Sequence, residues 1–362
     1  MPNHISRRAV LQALGATAFL AGCGDSATAH GNQRLTFTDQ RGHRIALAGP
    51  ARRVVTIPMP AASMLIAVDS GTRHLVGMHP ESKKAIQDGI LGEIYPQAAT
   101  ISSDVAAENF TPNVESIVAL KPDAVVQWGD EGSGIIAPLE NAGLDVAGLS
   151  YGTQADLERW ITIFGAILGK PERARAMISR MHGGLHRARA EARARRTSPR
   201  IVYFDQYDGG EKVAGSGTYN DFCIRLIGAT NPAGESSGMA ATSPEQVLAW
   251  DPDIILLGNF DTAIPGDVYR DQLWAGVSAV RARRVYKVPL GGYRWDPPSQ
   301  ESPLMWRWLS MIAFGGSQGD LRDDIVEEYR FLYDYVPSRK QLDRILWTDV
   351  NSECTGYGRF RA

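Results

Sequence analysis

The sequence predicts an α/β protein of two Rossmann-like lobes, each built on a parallel sheet, joined by a single long α-helix, with a ligand cleft between the lobes. Three observations carry this expectation. Apolar strands and amphipathic helices alternate in two series, one on each side of residues 171–197, the pattern of parallel sheets covered by helices. Between the series, residues 171–196 read PERARAMISRMHGGLHRARAEARARR, with apolar side chains at Ala174, Met177, Ile178, Met181, Leu185, Ala188 and Ala192. Those steps trace one helical face. Finally, NVESIVALKPDAVVQW before the helix shares its layout with SPEQVLAWDPDIILLG after it: a capping residue, a Glu, an apolar pair, a Pro-Asp turn and a buried strand.

The long helix justifies itself at both ends. Pro171 suits the first turn, Gly169 ends the preceding helix and Pro199 stops this one. About 25 residues at about 1.5 Å each make a rod of roughly 37 Å, longer than one small domain needs. Gly183 and Gly184 cost about 1 kcal/mol each and mark a place for a kink.

The 362 residues suffice for two cores, and 44% hydrophobic with 22% charged residues is ordinary for a globular protein. A net charge of −2 gives no basic excess, which argues against nucleic acid as a partner. The opening MPNHISRRAVLQALGATAFLAGCGDS pairs Arg7-Arg8 with a short apolar run, an export signal rather than a fold element. SRRAVL resembles a twin-arginine motif, and LAGC resembles a lipobox, which makes Cys23 the lipid anchor. Cys223 and Cys354 then remain, with a disulfide between them left open.

In order, the expected parts are an export signal with lipobox (1–23), a tether (24–34), an N-terminal lobe (35–170), the bridging helix (171–197), a C-terminal lobe (198–345) and a tail (346–362). LTFTDQ and HRIAL form a hairpin around Arg41-Gly42. RRVVTIP, HLVGMHP, AVVQW and LDVAGLSY are the first lobe's strands. RIVYFDQY, DIILLG and RVYKVP are those of the second. PLMWRWLSMIAFG is a closing helix. QLDRILW fits one more helix under the second lobe, and NSECTGYGRFRA has no assignment.

Ligands of open α/β sheets sit beyond the carboxyl ends of the strands. Those ends carry Met59, Trp128 and Tyr151 in the first lobe and Tyr207, Asn259-Phe260, Tyr293, Arg294 and Trp295 in the second, with Tyr219 opening a helix nearby. An aromatic-lined cleft with one guanidinium suits a bulky, partly anionic small molecule. Nucleophile, zinc-protease and phosphate-loop motifs are missing, so no catalytic residue is assigned and no enzyme is expected. His182 and His186 share a helix face but sit among arginines, and no metal-ligand set is assigned; a haem or metal held by one Met or Tyr stays open.

From about Leu35 to Gly316 the chain resembles the periplasmic substrate-binding proteins of ABC importers, in the subgroup for iron–siderophore, haem and cobalamin uptake. TFTDQRGHRIALAGPARRVVTIP, the two Pro-Asp units, the bridging helix and VYKVPLGGYRWDPPSQESPLMWRWL carry the likeness in register. The resemblance implies a monomeric lipoprotein in the periplasm or on the outer face of the cytoplasmic membrane, with no cofactor of its own. It would capture a ferric siderophore or similar metal chelate and hand it to a transmembrane permease. Haem, cobalamin or a nickel chelate are alternatives within the group; an envelope chelatase or reductase, or a structural lipoprotein, are alternatives outside it. The resemblance also implies one permease-docking Glu per lobe. Glu245 takes that place in the second; Glu131 is the nearest acid in the first, with Ser133 nearer the aligned position. A rigid bridge implies little movement on binding.

Overall fold

The computed structural model describes residues 34–208, 210–315 and 319–361. The expected export signal, Cys23 and most of the tether lie outside the described residues. A hairpin of β1 (Leu35–Thr38) and β2 (Arg44–Leu47) comes first. Asp39 closes it by accepting the N–H groups of Arg41 at 3.0 Å and His43 at 2.8 Å, while Gly42 adopts a φ of +82°. The same carboxylate accepts the Gly148 N–H at 2.8 Å and so seats the hairpin on the first lobe.

The first sheet contains β3 (Val54–Thr56), β4 (Leu75–Met78), β5 (Ala124–Trp128) and β6 (Val146–Leu149), all parallel in the order β4-β3-β5-β6. Its helices are α1 (Ala61–Asp69), α2 (Pro80–Asp88), α3 (Leu91–Ile94), α4 (Val114–Ala119), α5 (Ala137–Asn141) and α6 (Gln154–Ile167). The long helix α7 (Pro171–Ala194) follows. The second sheet holds β7 (Ile201–Gln206), β8 (Lys212–Ala214), β9 (Met239–Ala241), β10 (Ile254–Leu257) and β11 (Val285–Lys287) in the order β11-β10-β7-β8-β9. Here β7, β10 and β11 are parallel, and β8 and β9 add an antiparallel flank. Its helices are α8 (Tyr219–Leu226), α9 (Pro244–Trp250), α10 (Pro265–Arg270), α11 (Ser278–Arg281) and α12 (Ser302–Phe314). The chain closes with α13 (Leu321–Tyr333) and α14 (Arg339–Ile345).

The two Pro-Asp units have one physical design. Asn113 caps α4 by accepting the Ser116 N–H, and Ser243 caps α9 by accepting the Gln246 N–H. Lys121 and Asp251 then turn the chain at φ +47° and +41°. Asp123 accepts the N–H groups of Arg52 and Arg53 at 2.7 and 2.9 Å; Asp253 accepts that of Arg200 at 2.7 Å. Each Asp thus pins its own strand to the start of the neighbouring one and sets the sheet register.

Helix α7 runs unbroken through Gly183 and Gly184, so the kink those glycines allow is not used. A Cβ on Gly184 would stand 3.1 Å from the Pro303 Cβ; its absence brings α12 close. Ala174, Met177, Met181, Leu185 and Ala188 face inward, into an apolar cluster shared with α6, α12 and both sheets.

The C-terminal segment spans both lobes rather than lying under the second alone. The Arg173 guanidinium on α7 donates to Ala67 O at 3.1 Å in the first lobe and to Phe331 O and Leu332 O at 2.6 and 3.0 Å on α13. Tyr95 Oη donates to Tyr333 O at 2.9 Å. Arg180 pairs with Glu327 and Glu328, and Glu93 pairs with Gln341 and Arg344. Further on, Asn351 accepts the Lys287 N–H at 2.8 Å and donates to Lys287 O at 3.1 Å, covering the β11 edge as another strand would. Cys223 and Cys354 are both free and buried, one in α8 and one beside β11.

Candidate functional site

The first lobe offers an aromatic belt at its strand ends. His79, Phe110, Trp128 and Tyr151 follow one another with ring centroids 4.7, 5.7 and 6.0 Å apart. Trp160 backs the last two, at 5.8 and 5.1 Å, and fixes its own ring by donating to Ser150 O at 2.7 Å. Such rings gain from edge-to-face contact beyond their buried area. The Trp128 indole N–H is buried and has no hydrogen-bond partner among the described residues. His79 accepts the Glu81 N–H at Nδ1 and meets Ala107 O at Nε2; burial holds its pKa below the ordinary value, so the ring is neutral. Met59 lies three residues beyond β3, half-buried, and its carbonyl accepts Ser82 Oγ at 2.9 Å.

The second lobe supplies the polar side. The Arg294 guanidinium lies 4.6 Å from the centroid of the Phe260 ring and 5.9 Å from that of Tyr293, and its Nε donates to Asn259 O at 3.3 Å. Asn259 is itself held by the buried Asp296, which accepts the Asn259 N–H at 2.8 Å, its Nδ2 at 3.1 Å and Tyr203 Oη at 2.7 Å. Beneath them, Lys287 Nζ donates to the carbonyls of Gly258, Asp261 and Ala263 at 2.8, 2.6 and 3.0 Å. Burial lowers the pKa of that ammonium. Asp205, half-buried on β7, has its carboxyl pushed up by burial and by the Asp296 charge.

The lobes meet where Tyr151 Oη donates to Pro298 O at 2.5 Å and Tyr219 Oη reaches Gln154 at 3.4 Å. Burial raises the hydroxyl of Tyr151 well above its ordinary pKa and that of Tyr293 up to about 12, so both stay protonated donors at neutral pH.

The structure therefore brings Trp128 and Tyr151 of the first lobe to the same junction as Tyr293 and Arg294 of the second, with Tyr293 itself buried. It sets the other sequence candidates apart. Trp295 is wholly buried beneath its loop, with its indole nitrogen 2.7 Å from Glu301. Tyr219 is buried against α12. Tyr207, half-buried, packs with Phe204 and Trp274 against the core on the other face of the second sheet and donates to Asp271 at 3.0 Å. Glu131 and Glu245 are both exposed beyond their lobes' strand ends, the second at the start of α9. Asp205, Asp296 and Phe110 carry no sequence signal: each acid is single and outside any motif, and Phe110 lies in a loop far from any strand end. Phe260, just beyond β10, meets the Arg294 guanidinium. Among the described residues, no group of three or more His, Cys, Asp or Glu side chains is placed to hold a metal ion.

Residues 105–290, just over half the chain, match the family described as periplasmic binding protein. The chain belongs to that family. A solved periplasmic solute binding protein from Veillonella parvula superposes on this binding protein with a TM-score of 0.82 at 32% identity, covering 88% of this chain and 98% of that one. The molybdate-binding protein MolA of Haemophilus influenzae is 22% identical over 324 residues, 81% of this chain and 88% of its own length. The iron(3+)-hydroxamate-binding protein FhuD of Bacillus subtilis is 24% identical over 205 residues, 53% of this chain and 64% of its own. This periplasmic binding protein is thus an extracytoplasmic solute-binding component of an ABC importer, with the two-lobed fold the sequence predicted.

Proposed function

We propose that this binding protein captures a near-neutral metal chelate, a ferric hydroxamate foremost, in the cleft between Trp128, Tyr151, Tyr293 and Arg294. The single observation that carries the reading is the cleft's make-up: a belt of rings, one guanidinium stacked between Phe260 and Tyr293, and no cluster of metal-ligating side chains among the described residues. Such a site suits a metal that arrives wrapped in its own donors. With one cation and the acids Asp205 and Asp296 beside it, a highly charged catecholate is disfavoured. A compact oxyanion is the second reading, favoured by the likeness to a molybdate-binding protein over most of the chain and by the unpartnered Trp128 N–H. Haem, cobalamin and nickel chelates are further ligands to try. In this reading Cys23 anchors a monomeric lipoprotein to the membrane after export, and Glu131 and Glu245 dock on the permease.

Titration of the mature protein, followed by tryptophan fluorescence, tests the ligand. The panel is ferrioxamine, a ferric catecholate, haem, cobalamin, nickel–histidine and molybdate. Saturable quenching by ferrioxamine at micromolar concentration, lost in Trp128→Phe, is the expected result; quenching by molybdate alone selects the oxyanion, and silence throughout overturns both. The pair Glu131→Ala and Glu245→Ala should impair uptake at unchanged affinity, and lost affinity would misplace the docking surface.

A further inference from the structure

The 291–295 loop that carries Tyr293 and Arg294 is fastened from below by a carboxylate with no cation. Glu301, wholly buried, accepts four donors. Oε1 takes the Gly292 N–H at 2.9 Å and Tyr333 Oη at 2.6 Å; Oε2 takes Trp295 Nε1 at 2.7 Å and Tyr329 Oη at 3.0 Å. Gly291 and Gly292 make the approach feasible, because a Cβ there would stand 1.9 and 2.6 Å from the two oxygens. The same loop reaches the first lobe, where Ile90 N–H donates to Gly291 O at 3.2 Å. A buried carboxylate without a counter-ion is costly, and the four donors gathered on it offset that cost.

We propose that Glu301 is a positioning residue for ligand capture: by gathering the donors of the 291–295 loop and of α13, it holds Tyr293 and Arg294 at the cleft. This rests on the reading that the cleft is the ligand site. Two consecutive glycines are fitted to the carboxylate oxygens, and two tyrosines of another helix converge on it. The ionised form accepts all four donors. The protonated form turns one oxygen into a donor, so that a tyrosine hydroxyl has to rotate to accept from it and the cage rearranges.

The titratable groups facing Glu301 are the hydroxyls of Tyr329 and Tyr333, both raised far above their ordinary range by burial and by the carboxylate. The loop's own charges, Arg294 and Asp296, engage Asn259 instead, and Leu91 faces the loop from the first lobe. Burial pushes the Glu301 carboxyl up to about 7, so the cage titrates near neutrality.

The test titrates wild type, Glu301→Gln, Tyr333→Phe and Arg294→Ala with ferrioxamine and with molybdate between about pH 6 and pH 8. Glu301→Gln should bind about tenfold more weakly. Wild-type affinity should rise with pH across that range, and Glu301→Gln should be flat. Wild-type affinity and pH profile in Glu301→Gln, with Arg294→Ala impaired, would overturn the inference alone. Unimpaired binding in Arg294→Ala would sink the cleft reading instead. Hydrogen exchange over residues 290–296 reads the loop without any ligand: faster exchange in Glu301→Gln is expected, and unchanged protection refutes the role whichever ligand binds. Should Glu301→Gln not fold by circular dichroism, Tyr333→Phe carries the same measurements.

Discussion

Lys287→Met would release the loop that presents Asn259 and Phe260. Lys287 is 5% exposed, and its ammonium donates to three carbonyls of residues 258–263. Hydrogen bonds to a charged group contribute about 1.5–3 kcal/mol each, so removing the three costs about 4–9 kcal/mol gross. Against that, Met spares the desolvation of a buried ammonium, worth several kcal/mol; the lowered pKa of Lys287 reports that penalty. The net loss is about 3 kcal/mol. With an unfolding entropy of about 2.1 cal/mol/K per residue, a chain of this size loses about 0.7 kcal/mol per degree, so Tm should fall by about 4 °C. Differential scanning calorimetry reads this directly. The variant should also lose ligand affinity, because Phe260 stacks on Arg294. A Tm within about 1 °C of wild type, with affinity unchanged, would refute the claim that the ammonium organises the loop.

Three further outcomes follow from the same reasoning. Burial raises Glu301 from 4.5 to about 7, so the folded state holds a proton that the unfolded chain has released. Its contribution is intact below about pH 4.5 and lost as pH rises through about 7, amounting to about 3 kcal/mol; urea melts should show that slope in wild type and a flatter one in Glu301→Gln. Phe360→Ala removes a ring buried against Tyr357 and should cost about 3 kcal/mol by the urea midpoint, although it lies in the final residues of the chain. Solution scattering should find less than about 1 Å change in radius of gyration on ligand binding, since α7 and the C-terminal segment both tie the lobes; a marked compaction would contradict this.

Much of the fold is local and therefore legible. The capping residues Asn113 and Ser243, the Pro-Asp turns and the single apolar face of α7 are short-range signals, and they set sheet register and lobe spacing. Strands β8 and β9 are hidden because KVA and MAA lie outside the strand–helix alternation and lack the flanking apolar run that marks the equally short β3 and β11. The candidate site is legible only in part. Strand ends offer Trp128, Tyr151, Tyr293 and Arg294 as candidates, but whether an aromatic faces a cleft or a core depends on what packs over it. Trp295 and Tyr207 look like their neighbours in sequence and are claimed by Glu301 and Trp274. Glu301 itself, in SQESPL, reads as a polar helix start, and its cage comes partly from Tyr329 and Tyr333 on a later helix.

The strap formed by α13 and α14 bears on the timing of folding. Its partners are far away along the chain: Tyr95 and Tyr333 are 238 residues apart, and Glu93 and Arg344 are 251 apart. Contacts of such high order form late, after loop closure has been overcome. The first lobe therefore cannot reach its final packing until α13 and α14 have been synthesised. A chain cut short before them leaves α1 and the 291–295 loop without their cover. Synthesis of these two helices thereby becomes a precondition for packing elements that precede them by up to 251 residues.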